Sequence, residues 1–139
     1  MNKAAVIVLA TAFVSTVSMA ESLSIKPGLW ETTETSINPM TGAPETTTQQ
    51  ECITPDKATF NPSEMIEGNS DCQVTDQALN GNTLTFTLTC PVENGQAKAS
   101  GTMTSNGDHG EGNMVMEMTI NGQTMTFKMD WEAKRIGDC

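Results

Sequence analysis

The stretch from residue 112 to residue 133 constrains the fold of this chain more than any other. Two runs of alternating apolar and polar residues flank Asn121-Gly122. Asn-Gly between two such runs is the strongest short-range signal for a β-hairpin. The stretch therefore predicts a hairpin with one methionine-rich face, made by Met114, Met116, Met118 and Ile120 before the turn and by Met125, Phe127, Met129, Trp131 and Ala133 after it.

The same alternation continues upstream and predicts an all-β chain. Strands are expected over 23–37 (interrupted at Pro27-Gly28), 46–53, 72–79, 83–90 and 97–104. Residues 54–71 carry Pro55 and Pro62 and lack a strand period, so they predict a loop with short helical turns beginning near Thr54 and Ser63. We expect an antiparallel meander of about seven strands, forming a small closed or partly open barrel with two disulfides.

Turn positions predict the register of the sheet. With Asn121-Gly122 as a two-residue turn, Met114 opposes Met129 and Met116 opposes Phe127. With Asn94-Gly95 treated likewise, Phe86 opposes Met103, Leu88 opposes Gly101 and Cys90 opposes Ala99. Apolar residues then face apolar residues in both hairpins, and a one-residue slip would turn each set outward.

The first twenty residues have the pattern of a cleaved signal peptide. Lys3 supplies a positive start, 4–17 is a short apolar run, and Ser18-Met19-Ala20 fits the small-x-small cleavage rule. The apolar run is too short for a stable membrane span. We therefore expect a signal peptide over 1–20, a mature chain beginning near Glu21, one secreted β domain over 21–139, and a periplasmic or secreted location.

The charge of the chain excludes some partners. Its formal net charge is −10, and removing Lys3 with the signal peptide makes it more negative. Binding to nucleic acid or to anionic lipid depends on Lys and Arg, which are scarce here. A strongly acidic surface instead favours a soluble monomer that repels its neighbours.

Four cysteines lie after residue 20, and an even number in a secreted chain predicts disulfides. A three-residue loop at Asn80-Gly81-Asn82 places Cys72 opposite Cys90, although the same register turns Asp76 inward. Cys139 is roughly 40 Å of extended chain beyond the residue that lies level with Cys90. A Cys90–Cys139 disulfide would therefore require the tail to fold back. We favour Cys72–Cys90 with Cys52–Cys139. The alternative is Cys52–Cys72 with Cys90–Cys139.

Motifs along the whole mature chain resemble a known family. They are Lys26-Pro27-Gly28-Leu29-Trp30-Glu31, Cys52-Ile53-Thr54-Pro55, Cys72-x-Val74-x-Asp76 and Arg135-Ile136-Gly137-Asp138-Cys139. In this order they resemble the secreted bacterial proteins of the domain-of-unknown-function 3617 family. The resemblance implies a periplasmic location and four paired cysteines. It brings no activity, substrate or catalytic residue.

The apolar interior favours a non-catalytic binding or envelope-maintenance module, whose partner would be a small apolar ligand or an envelope protein, with no cofactor expected. The first alternative is a soft-metal site for Cu(I) or Ag(I), because thioether sulfurs are soft ligands. Its candidate ligands are Met114, Met116, Met118, Met125, Met129 and His109. Methionine is also a common core filler, and alternation alone accounts for the pattern.

The second alternative is a small hydrolase-like enzyme that uses carboxylates. The only histidine, His109, lies in a Gly-rich turn, and no nucleophile motif accompanies it. Disulfide-bonded cysteines supply no thiolate. The sequence therefore favours a protein that is not an enzyme.

Overall fold

A computed structural model describes residues 21–69 and 71–139, and most of them form nine β-strands. The strands are β1 (Leu23–Ser24), β2 (Gly28–Ile37), β3 (Pro44–Ile53), β4 (Thr59–Phe60), β5 (Gln73–Asn80), β6 (Thr83–Val92), β7 (Gly95–Asn106), β8 (His109–Ile120) and β9 (Gln123–Gly137). Two short 3-10 turns cover Pro55–Lys57 and Pro62–Ile66. The predicted signal peptide over 1–20 lies outside the described residues.

Seven strands form one antiparallel sheet in the order β3-β2-β9-β8-β7-β6-β5, and β1 pairs with β4 apart from it. The predicted all-β meander of about seven strands is confirmed. Within the described residues, β3 and β5 each have one neighbouring strand, so the sheet is partly open and not closed. The first predicted strand is divided, because β1 pairs with β4 outside the seven-stranded sheet and β2 begins at Gly28.

The methionine hairpin has the predicted register. Met114 lies opposite Met129, and Met116 lies opposite Phe127. Asn121 and Gly122 both have positive φ, of 51° and 78°. A two-residue turn of this kind matches the twist of the flanking strands, so the Asn-Gly signal fixes the pairing of β8 with β9.

The predicted register of β6 and β7 is wrong by two residues. Phe86 lies opposite Gly101 instead of Met103, and the turn is Glu93-Asn94, with Gly95 already paired to Val92. A shift of two residues leaves every side chain on its own face. The alternation of apolar and polar residues therefore could not distinguish the two registers.

A β-bulge in β5 corrects the predicted position of Asp76. The pairing runs from Asn80 opposite Thr83 to Asp76 opposite Thr87, and then shifts so that Val74 lies opposite Leu88. Thr75 is the extra residue, and it reverses the phase of the strand. Asp76 is consequently exposed on the outer face, and the loop before β6 is a two-residue turn.

The core lies on one side of the sheet, which we call the inner face, around Leu84, Phe86, Leu88 and Ala99. The connection from β3 to β5 links the two edges of the sheet and packs on this face. The ring centroids of Phe60 and Phe86 are 5.8 Å apart, and Ile66 of the connection also packs against the cluster. In a closed barrel the sheet itself would cover this core. Here the connection and β1 cover it instead.

Candidate ligand-binding cleft

A cleft of about 340 Å³ lies on the inner face and is lined by residues from both ends of the chain. Its volume falls in the range typical of small-ligand sites. Both tryptophans of the chain, Trp30 and Trp131, line it. The apolar part of its wall is made by Leu23, Ile25, Ile53, Met103 and Ala133.

Trp30 forms the fixed base of the cleft. Only 3% of its surface is exposed, and its indole Nε1 donates a hydrogen bond to the carbonyl of Lys26 at 2.8 Å. It lies between Glu51 on β3 and Arg135 on β9. A buried indole needs a partner for its N–H, and here the preceding turn supplies it.

Trp131 forms a half-buried wall of the cleft. It lies between Gly112 on β8 and Glu34 on β2. A Cβ atom added at Gly112 would lie 2.5 Å from Cε2 of Trp131, so the indole packs directly over the Gly112 backbone. Because Gly112 covers one face of the ring, the other face is the one available to the cleft.

The charged side chains that line the cleft are Glu34 and Glu51. Each lies directly opposite one tryptophan, Glu34 beside Trp131 and Glu51 beside Trp30. Strand geometry puts their Cα atoms about 14 Å apart, since Glu34 is four residues farther along the ladder and one strand over. Paired carboxyl groups of glycoside hydrolases stand about 5–9.5 Å apart, so Glu34 and Glu51 would have to extend toward each other to act as an acid–base pair.

The two terminal sequence motifs meet beside Trp30, where they form what we call the terminal clasp: Lys26, Pro27, Asp108, Arg135 and Asp138. Arg135 Nε donates a hydrogen bond to the Pro27 carbonyl at 2.7 Å, and its guanidinium also pairs with Asp138. Lys26 Nζ donates to Asp108 Oδ1 at 2.8 Å. That contact lowers the pKa of the Asp108 carboxyl below its ordinary value.

Gly28 allows the terminal clasp to close. Its φ is +147°, and an added Cβ would lie 2.7 Å from the Gly137 carbonyl oxygen and nearer still to Arg135 Nε. Only glycine permits this close approach of β2 to the end of β9. The motif containing Gly28 therefore packs directly against the motif containing Gly137.

The disulfides hold the two edges of the sheet. Cys52 of β3 is bonded to Cys139, with Cα atoms 5.6 Å apart, and Cys72 is bonded to Cys90, with Cα atoms 4.2 Å apart. This is the first of the two pairings considered from the sequence. The bulge at Thr75 allows Cys72 to oppose Cys90 while Asp76 faces solvent.

The methionine face is only partly a core. Met114 packs against the buried cluster, whereas Met125 is 48% exposed. Met114, Met116 and Met129 line a second pocket of about 200 Å³ together with Phe127. The structure therefore brings three of the five candidate thioethers to one pocket and places the Met118–Met125 pair nearer the hairpin turn.

His109 is not brought to the methionines. It lies opposite Lys134, an odd number of residues from Met114, so its side chain leaves the other face of the sheet. In residues 21–69 and 71–139, no three or more His, Cys, Asp or Glu side chains are grouped in a way that could hold a metal ion. Thioethers are a different ligand type, so the methionine pocket is the place where a soft metal is to be tested.

Sequence reasoning missed Glu34, Glu51 and the part that β3 plays in the cleft. Residues 44–51 are exposed throughout and carry no apolar face. The sequence clue is that this polar strand forms a hairpin with the strand that carries Trp30. The clue points to a site only when β9 lies on the other side of β2, and that pairing is long-range.

Comparison with known proteins gives a family and no activity. A family model described as "protein of unknown function (DUF3617)" matches residues 25–139. Neither the search of curated proteins nor the search of solved structures gave a match. No helix in the described part of the chain is long and apolar enough to cross a membrane.

Proposed function

Because the chain belongs to the DUF3617 family, which is described without a function, we propose from its geometry that it is a non-catalytic binding protein of the periplasm. Its site is the cleft between Trp30 and Trp131. The observation that carries the proposal is that both tryptophans of the chain converge on one cleft with an apolar wall. Small-ligand sites combine apolar lining with a few placed polar groups in this way.

Rigid support of the cleft favours binding. Trp30 is fixed by its hydrogen bond to Lys26, Trp131 by its packing on Gly112, and β3 by the disulfide at Cys52. A preformed site loses less conformational entropy when a ligand binds. All four cysteines are in disulfides, so none supplies a nucleophilic thiolate.

Tryptophan fluorescence tests the proposal directly, since both fluorophores line the cleft. We expect 1-octanol, titrated into the exported protein, to shift the emission in a saturable manner. Ala133→Leu should weaken this binding at least about tenfold by filling the cleft. Thr126→Leu adds a similar side chain to the outer face of β9 and should bind as the wild type does. An unsaturable titration, or equal binding by both variants, would count against the cleft.

The methionine pocket supports a second candidate function, binding of Cu(I) or Ag(I). Three thioethers, from Met114, Met116 and Met129, line one pocket beside an aromatic ring. Thioethers select soft monovalent ions over the harder divalent ions. Met114 and Met116 are neighbours on one face of β8, and Met129 lies across from Met114, so the three sulfurs can converge.

A Cu(I) competition titration separates a metal site from a merely apolar pocket. Replacing Met114 and Met129 together with Leu should abolish binding, while each swap costs under about 1.5 kcal/mol of stability. Met40→Leu with Met65→Leu is the matched control, because both methionines are exposed and outside the pocket. Wild-type binding no tighter than micromolar would end this candidate.

A further inference from the structure

The ligand class of the tryptophan cleft follows from its charge. We infer that the cleft takes organic cations, in which an ammonium group is joined to an apolar body. The inference rests on the proposed binding function and deepens it. The juxtaposition that carries it is the uncovered ring face of Trp131 beside the Glu34 carboxylate, with Glu51 farther along the same cleft, opposite the buried Trp30.

No ion pair among residues 21–69 and 71–139 neutralises the carboxylates of the cleft. In the part of the chain that the structure describes, the ion pairs are Lys26–Asp108, Lys134–Glu31 and Arg135–Asp138, and none involves Glu34 or Glu51. The charged residues among the cleft lining are these two glutamates alone. The charges of the lining itself therefore repel an anionic ligand and attract a cation.

Arg135 is the cation closest in the ladder to Glu51, with Trp30 between them. Its guanidinium is already engaged, since Nε donates to the Pro27 carbonyl and Nη2 pairs with Asp138. The guanidinium therefore already has two oxygen partners, and neither of them belongs to the cleft.

The tryptophans suit the same ligand. The electron-rich face of an indole attracts an ammonium group placed within about 6 Å, and tryptophan is the best aromatic side chain for this contact. Trp131 presents the ring face that Gly112 does not cover, with Glu34 next to it. Trp30 is too deeply buried to offer a full face, so the ammonium should sit at the Trp131 end and the apolar body should extend toward Leu23 and Ile53.

The charge of the whole protein acts in the same direction. A formal net charge of −10 attracts cations to the surface before they reach the cleft. This general attraction would also operate without a specific site. The experiment must therefore distinguish the two glutamates of the cleft from acidic residues elsewhere.

We would titrate the exported protein with octyltrimethylammonium, 1-octanol and octanoate, each below any micelle-forming concentration, and follow tryptophan fluorescence. We expect the cation to bind about tenfold more tightly than the alcohol, a difference of about 1.4 kcal/mol. Octanoate should bind more weakly than the alcohol. Glu34→Gln with Glu51→Gln should reduce the ratio of cation affinity to alcohol affinity to less than about threefold.

Glu93→Gln with Glu117→Gln is the matched control. Both residues are exposed and outside the cleft, and the pair changes the net charge by the same amount. An equal loss in this control would overturn the inference, because it would assign the preference to the overall charge. Equal affinity for cation and alcohol would also overturn it while leaving the binding function intact. No binding of any of the three probes would overturn both.

Discussion

Gly101 shows how one absent side chain makes room for the core. An added Cβ would lie 2.5 Å from Cζ of Phe86, whose ring is 3% exposed and packs against Phe60. Gly101→Ala should therefore destabilise the protein by about 1–3 kcal/mol through overpacking, measured by urea unfolding. Gly137→Ala is the control, because nothing lies within 4 Å of its added Cβ. Equal stability of the two variants would contradict this packing.

Asp108 gives the terminal clasp a defined pH dependence. The hydrogen bond from Lys26 lowers the pKa of this carboxyl in the folded protein. Its contribution is therefore fully present above the unfolded pKa and is lost as the pH falls through the lower folded value. Asp108→Asn should reduce the Tm slightly at pH 7 and not at all in strong acid, below the lowered pKa of the folded state. A deficit that persists in acid would contradict the ionic origin.

At the scale of elements, each disulfide holds a different edge of the sheet. Edge strand β3 has no buried side chain, so its attachment depends on its ladder with β2 and on Cys52–Cys139. Replacing Cys52 and Cys139 with Ser should speed amide hydrogen exchange mainly in β3. Replacing Cys72 and Cys90 should speed it mainly in β5. Because β3 carries Glu51, the first variant should also weaken cleft binding, and exchange that rises uniformly in both variants would contradict this division.

The strands differ in how far the sequence predicts them, and the reasons are local. The register of β8 with β9 is predicted correctly, because Asn121-Gly122 sets the turn and the alternation sets the face, although both strands extend beyond the predicted 112–133. The register of β6 with β7 was not, because a two-residue shift satisfies the same alternation. The bulge at Thr75 has no apolar signature, so Asp76 was predicted on the wrong face.

At the scale of the whole molecule, the sequence predicts a curled sheet more readily than it predicts its site. The cleft needs β3, β2 and β9 side by side, and the pairing of β2 with β9 joins residues about a hundred positions apart. Trp131 was assigned to the inner face from its alternation, while Glu34 and Glu51 carry no pattern of their own. Pairing between distant strands brings the residues of the site together, whereas the local alternation of residues predicts only the individual strands.

Charge is the remaining property of the whole molecule, and it predicts how stability responds to salt. The chain has seventeen acidic residues and only seven Lys and Arg residues. The ion pairs among the described residues are mostly exposed, and each contributes little. Repulsion should therefore dominate, and raising NaCl from about 10 to 200 mM should increase the Tm by shortening the Debye length.

Glu111 and Glu132 localise part of this repulsion, since they lie directly opposite each other on the outer face of β8 and β9. Glu111→Lys should raise stability by about 0.2–1 kcal/mol, because it replaces a like-charge pair with an attractive one. It should also flatten the dependence of Tm on salt. Glu67→Lys changes the net charge equally at an exposed position outside the strands and should give a smaller gain. A fall in the Tm of the wild type with added salt would contradict this prediction, because attraction would then outweigh repulsion. In that case Glu111→Lys should give no gain in stability.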